Sequence, residues 1–132
     1  MNEDFVSYEL AVKLKAAGFD ELTNSFYDEA SVQQGEFEIV PTYAKFNEVC
    51  KTPGCECVSA PTLAHAQKWL REKGIAVSIQ ANEIKGELWY SADIITTKGI
   101  NELVDGGFDY MGYEAALSAG IFAALELIKK GE

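Results

Sequence analysis

Apolar residues recur at helical spacing in three segments, and each segment carries signals for where a helix begins and ends. In the first segment, Ser7 can accept a hydrogen bond from an otherwise unpaired backbone N–H, which is typical of an N-cap. Gly18 supplies a left-handed residue that ends this helix, and Phe19 can then fold back onto Leu14. The apolar positions of this predicted helix are Leu10, Leu14 and Ala17.

The second and third helices follow the same logic. The second begins at Pro61 or Thr62 and ends at Gly74, with a predicted buried stripe of Leu63, Ala66 and Leu70. In the third, Gly120 predicts close packing against a strand or another helix. Five apolar residues keep the i, i+4, i+7, i+8, i+11 spacing of this last helix: Leu117, Ile121, Ala124, Leu125 and Ile128.

Extended segments follow the first two helices. Two strands are predicted at about 25–31 and 36–40, and residues 75–96 predict a hairpin with its turn near Lys85-Gly86. Side chains alternate between the faces of a strand, so Trp89 and Tyr90 lie on opposite faces of this hairpin. Two alternatives stay open: either Tyr90 faces the helices and Trp89 lies on the open face, or Trp89 is the core residue.

The order α-β-β-α-β-β-α predicts an α+β fold. We expect a single domain, residues 1–132, in which the helices pack on one face of a mainly antiparallel sheet. Residues 41–60 and 97–112 are rich in turn-forming residues, and they are predicted to be long connections.

Charge narrows the choice of partner. The chain of 132 residues has 21 acidic and 11 basic side chains, a formal net charge of −10. A surface of this sign repels phosphate groups, so we expect neither nucleic acid nor an anionic membrane as a direct partner. No apolar run approaches the length of a membrane span and no signal peptide is recognised, which predicts a cytoplasmic protein with reduced cysteines.

One cluster contains metal-binding residue types: Cys50, Cys55, Cys57 and His65. Thiolates and imidazole suit zinc, but the spacing differs from the paired C-x2-C knuckles of structural zinc sites. Glu56 lies between two of the thiols, and its negative charge disfavours the thiolate that a nucleophilic cysteine needs. The sequence therefore predicts no catalytic residue and no cofactor.

Aromatic residues provide a different candidate. If Trp89 lies on the open face of the sheet, it would be near Phe26 or Tyr27. A large aromatic side chain on an uncovered sheet face suits a contact with another protein or self-association. These three residues are the predicted protein-binding site.

Two segments also indicate a family: Phe5–Asp20, with the pattern F-V-S-Y-E-L-A…G-F-D, and Ala60–Glu72, with A-P-T…W-L-R-E. With Trp89-Tyr90 and the closing Tyr113–Leu117, they resemble a family of small uncharacterised proteins from gut bacteria and their phages. The matching motifs fall on helix starts, helix stops and the sheet. The resemblance implies a cytoplasmic accessory protein of a prophage or other mobile element, and it assigns no catalytic residue.

The leading hypothesis is a small acidic, non-catalytic module that binds another protein or a second copy of itself. One alternative is an acidic mimic of nucleic acid that inhibits a DNA-binding protein. Another is a small enzyme or metal-binding protein that uses the Cys50–His65 region. The absence of a catalytic constellation favours the first hypothesis over the last.

Overall fold

The computed structural model describes residues 4–28, 38–49, 57–104 and 110–129. In these ranges the chain forms four helices and six strands, divided between two compact units, Met1–Thr62 and Leu63–Glu132. The helices are α1 (Tyr8–Ala16), α2 (Phe46–Val49), α3 (Leu63–Glu72) and α4 (Tyr113–Lys129). The strands are β1 (Thr23–Tyr27), β2 (Glu38–Ala44), β3 (Val58–Ser59), β4 (Ile75–Ile84), β5 (Glu87–Thr96) and β6 (Asn101–Leu103).

The α+β class and the predicted order of helices and strands are confirmed. The strands form two three-stranded antiparallel sheets, β2-β1-β3 and β4-β5-β6, where the sequence predicted one sheet. Each sheet obtains its third strand from a segment predicted to be a loop, so each is completed within its own unit. The extent of residues 1–132 as one domain stays a prediction.

In the first unit, α1 begins and ends where the sequence predicts. The Ser7 hydroxyl accepts a hydrogen bond from the Leu10 N–H at 3.2 Å. Gly18 has a φ of 96°, and the Phe19 N–H donates to the Leu14 carbonyl at 2.9 Å. The side chains of Leu10, Leu14 and Phe19 are buried, so the apolar residue that follows the helix stop, Phe19, is also part of the core.

Helix α3 of the second unit likewise stops at a glycine with positive φ. It ends at Gly74, whose φ is 85°, and the chain passes directly into β4. Its predicted stripe is confirmed, because Leu63, Ala66 and Leu70 are buried, and Trp69 is buried with them.

Strands β4 and β5 form a regular hairpin of ten residue pairs, from Ile75 opposite Thr96 to Ile84 opposite Glu87. Lys85 and Gly86 both have positive φ, 53° and 84°, which is the geometry of a two-residue type I′ turn. The predicted turn is thus confirmed. This geometry fixes the register of the whole hairpin.

Helix α4 packs on one face of this hairpin, and its backbone lies close to the strands at Gly120. A Cβ atom built on Gly120 would lie 2.5 Å from Val77 Cγ1 and 3.1 Å from the Ala92 Cβ, so no larger residue fits. The close packing predicted at Gly120 is confirmed. Helix α3 contacts both α4 and β4, and the Gln67 Nε2 donates to the Val77 carbonyl at 2.7 Å.

The main differences from the predicted elements lie in the two connections. Helix α2 and strand β3 lie inside 41–60, and β6 lies inside 97–112. Elements of two to four residues are too short to produce a recognisable period in the sequence. The strands predicted at 25–31 and 36–40 correspond to β1 and β2, and residues 29–37 lie outside the described residues.

Candidate protein-binding surface

The far end of the β4–β5 hairpin extends beyond the helices of its unit. A ten-residue strand is about 33 Å long, whereas the ten residues of α3 span about 15 Å and the seventeen of α4 about 25 Å. Residues 80–88, which we call the hairpin tip, are all exposed. The hairpin is therefore packed against helices at its base and solvated at its tip.

The base of the hairpin shows which face the helices cover. The Tyr90 ring packs edge-on against Tyr113 of α4, with ring centroids 5.9 Å apart and an interplanar angle of 87°. Ala92, two residues further along β5, faces Gly120 of the same helix. Tyr90 therefore lies on the helix side, and Trp89 lies on the opposite face. This resolves the two alternatives that the sequence leaves open.

The face opposite the helices, which we call the outer face, carries several apolar side chains. Trp89 is half-buried, and its partner across the hairpin is Asn82. By alternation and register the same face includes Ile84, Ile95 and Leu103, which are 39%, 43% and 48% exposed. The outer face thus combines a partly accessible indole ring with exposed aliphatic groups, a composition typical of protein interfaces.

The hairpin tip carries a further exposed apolar residue that the sequence analysis missed as a site residue. Leu88 is 55% exposed and lies on the helix side of the hairpin, beyond the reach of α4. Ile84 is on the other face, so the tip presents an aliphatic group in both directions. The length of the hairpin could have indicated this site, because two ten-residue strands are longer than the helices predicted to cover them.

Phe26 and Tyr27 belong to the first unit, and the structure corrects the place of Tyr27. Its ring is buried, packs edge-on against Tyr8 at 5.6 Å, and its hydroxyl donates to the Val6 carbonyl at 2.7 Å. Burial raises the pKa of Tyr27, and the negative charge of Glu9 acts in the same direction. Tyr27 is a core residue, because β1 turns Thr23, Ser25 and Tyr27 inward.

Phe26 points to the other side of β1 from Tyr27. Its ring is half-buried and stacks on Phe46, with centroids 4.7 Å apart and an interplanar angle of 28°. This stacking fixes the ring against the short helix α2. Phe26 therefore has a packing role within its own unit.

The cysteine and histidine cluster is only partly described. Cys50 and Cys55 lie outside the described residues. Cys57 is a buried thiol whose Sγ donates to the Phe46 carbonyl at 3.7 Å, and His65 is a half-buried residue of α3. Among the described residues, no group of three or more His, Cys, Asp or Glu side chains is placed to hold a metal ion. The zinc alternative stays a prediction that depends on the other two thiols.

Comparison with known proteins adds no relative to this picture. No family model, no curated protein and no solved structure matches the chain. In the part of the chain that the structure describes, no helix combines the length and apolar character needed to cross a membrane.

Proposed function

We propose that the protein is a non-catalytic module that binds another protein through the β4–β5 hairpin, with Trp89 and the tip residues Ile84 and Leu88 in the contact. The observation that carries this proposal is that every residue from 80 to 88 is exposed on a hairpin of regular geometry. An exposed element with ordered backbone pairing and accessible apolar side chains suits recognition.

The hairpin is suited to binding because its shape is set before a partner arrives. An isolated two-stranded hairpin is marginally stable in water, but this one is anchored at its base by α4 and closed at its tip by a type I′ turn. The Gly86 N–H also donates to the Glu83 carboxylate at 2.6 Å, which ties the turn to β4. A pre-ordered surface loses little conformational entropy on binding.

Net charge defines the kind of partner. At −10, the chain attracts basic protein surfaces and repels phosphate-rich ones, so the proposed partner is a protein with positive charge near its contact site. A cytoplasmic accessory role in a prophage or other mobile element, which the family resemblance implies, is part of the same proposal.

The alternative of a nucleic-acid mimic is less favoured by the placement of the acidic groups. Asp93 lies on the outer face of the second sheet, whereas Glu102 lies on its helix side, paired with Ile94. Glu9 is on α1 in the first unit. A mimic needs carboxylates arranged along one face like backbone phosphates, whereas the acidic residues of the second sheet lie on both of its faces.

Site-specific photo-crosslinking in the producing cells tests the proposal. A benzophenone side chain at position 88, on the tip, is compared with one at position 71, an exposed site on α3. We expect a discrete cross-linked species from position 88 and none from position 71, and we expect Trp89→Ala to weaken it. Tyr43→Ala is the matched control, since Tyr43 is an aromatic residue of the first unit that is 66% exposed.

Cross-linking that is equal from positions 71 and 88, or absent from position 88, would contradict the proposal. A species with the mass of two chains would identify the partner as a second copy. Thermal unfolding of both alanine variants checks that neither substitution acts through loss of the fold.

A further inference from the structure

The two strands of the hairpin, β4 and β5, differ in what pairs with the backbone groups that point away from the hairpin. On the β5 edge, the Tyr90 N–H donates to the Tyr110 carbonyl at 2.7 Å, and the Tyr110 N–H donates back at 3.3 Å. Further along, β6 pairs with Asp93–Ile95, and the Thr96 N–H donates to the Ile100 carbonyl at 2.9 Å. The outward backbone groups of β5 are thus occupied at its base and its centre.

The same hydrogen bonds determine where the backbone of β4 points. Because the N–H and C=O of Tyr90 are directed at Tyr110, the pair Tyr90–Ala81 is a non-hydrogen-bonded pair of the hairpin. The N–H and C=O of Ala81 therefore point away from β5, as do those of Ile79 and Glu83, two residues to either side. The type I′ turn agrees, because its closing pair, Ile84–Glu87, is hydrogen-bonded and sets the same alternation.

The outward groups of β4 meet different surroundings at the base and at the tip. At the base, the Val77 carbonyl accepts from Gln67 Nε2 at 2.7 Å. Beyond it, no residue that the structure describes forms a hydrogen bond with the outward groups of Ile79, Ala81 or Glu83. The N–H and C=O groups of these three residues point outward at the spacing of a β-strand. We call this part of β4 the open edge.

Proteins usually protect such an edge. Common protections are proline, a β-bulge, a short strand or several charged side chains. Strand β4 is ten residues long, pairs with β5 without a bulge, contains no proline, and has Glu83 as its one charged residue. The open edge therefore keeps the geometry that accepts a further strand.

Charge selects between the possible occupants. A second copy would bring together two chains of net charge −10. Lys85 lies between Glu83 and Glu87 at the turn, but the surplus of acidic groups still makes two such chains repel. A segment with lysine or arginine side chains would instead be attracted to the same carboxylates.

We propose that the open edge of β4 binds an extended basic segment of a partner protein as an added antiparallel or parallel strand, through the backbone of Ile79, Ala81 and Glu83. This inference rests on the proposed function, because it names how the hairpin holds its partner. Backbone hydrogen bonds supply the affinity in such strand addition, and flanking side chains supply the specificity.

Amide hydrogen exchange gives a direct test with a defined probe, a soluble seven-residue peptide of alternating lysine and valine. In the protein alone, the amides of Ile79, Ala81 and Glu83 should exchange faster than those of Gln80 and Asn82, which bond to β5. The peptide should slow exchange at the three odd positions. A matched peptide with glutamate in place of lysine should leave them unchanged.

Substitutions on the edge provide an independent readout. Ala81→Pro removes one outward N–H without breaking a β4–β5 hydrogen bond, and we expect it to weaken peptide binding by about tenfold or more. Ala81→Thr keeps that N–H and should change the affinity by less than about twofold. Glu83→Gln, which retains the oxygen that accepts from Gly86, should weaken binding more than Glu87→Gln, although each removes one charge.

Each of the following results would overturn the strand-addition proposal: no odd-position protection at saturating peptide, equal affinity of Ala81→Pro and Ala81→Thr, or a dimer in sedimentation that Ala81→Pro dissociates. The last result would assign the edge to a second copy. If Trp89→Ala lowers the peptide affinity and Ala81→Pro does not, the hairpin still binds the partner but the open edge takes no part in binding. The proposed function would then stand and the strand-addition proposal would fail.

Discussion

The two units of the chain build their cores in different ways. In the first, Asn47 is buried and its Nδ2 donates to the Phe19 carbonyl at 2.8 Å, while its Oδ1 accepts from the Ser59 N–H at 2.9 Å. In the second, α4 packs on the hairpin through Gly120, in contact with Val77 and Ala92. The first unit thus depends on particular polar partners, and the second depends on available space. Substitutions should therefore affect the two units by different mechanisms.

The largest effect is expected at Gly120. Replacement by valine places atoms where Val77 Cγ1 lies and should lower the free energy of unfolding by about 3 kcal/mol. Ala119→Val, at the half-buried neighbouring position, should cost less. Urea denaturation measures both. Val77→Ala should partly restore the stability of Gly120→Val, and a strictly additive double variant would show that crowding is not the cause.

Asn47 tests the polar core of the first unit. Asn47→Ala removes the partner of the Ser59 N–H and one partner of the Phe19 carbonyl, both of which are buried, and should cost about 2 kcal/mol. Asn24→Ala, a half-buried asparagine of β1 in the same unit, is the control and should cost less. The comparison uses chemical denaturation at neutral pH. Equal losses in the two variants would argue against a special role for Asn47.

Substitution of Tyr27 is expected to have a smaller effect on the free energy of unfolding, and this effect depends on pH. Burial raises its pKa above the usual 10.0, so the folded state disfavours the deprotonated phenolate. The stability linked to this group is therefore constant below about pH 10 and falls as the pH rises through the raised pKa of the folded state. Tyr27→Phe should cost about 1 kcal/mol at neutral pH, through loss of the bond to Val6, and should flatten the alkaline decline.

Urea unfolding between pH 8 and 11 measures the Tyr27 effect. Tyr43→Phe, at a position that is 66% exposed, is the control and should retain the decline of the unmodified protein. If Tyr27→Phe and Tyr43→Phe decline alike, the buried hydroxyl is not responsible.

The same contrast explains what could be predicted from the sequence. Ser7, Gly18, Gly74 and the Lys85-Gly86 turn act on their immediate neighbours, so their effects can be predicted from the local pattern. The pairing of Asn47 with Ser59 joins residues twelve positions apart across a segment with no period, and no local rule indicates it. Strand β3, which carries Ser59, was missed for the same reason.

The candidate surface was predictable only in part. Alternation placed Trp89 and Tyr90 on opposite faces, but both faces of β5 carry apolar residues, so the pattern alone did not identify the helix side. Contact of α4 with Ala92 and Tyr90 decides it. Tyr27 could not be assigned to the core because its partners, Val6 and Tyr8, come from a distant part of the sequence.

The exposed hairpin tip also bears on how this protein can diversify. Side chains between Gln80 and Leu88 support little of the packed interior, so most exchanges there alter recognition while leaving folding intact. The turn is the restricted part, since Lys85 and Gly86 must keep positive φ and the Glu83 carboxylate accepts from the Gly86 N–H. A lineage could therefore acquire new binding partners by changing this short stretch alone, with the rest of the scaffold inherited unchanged.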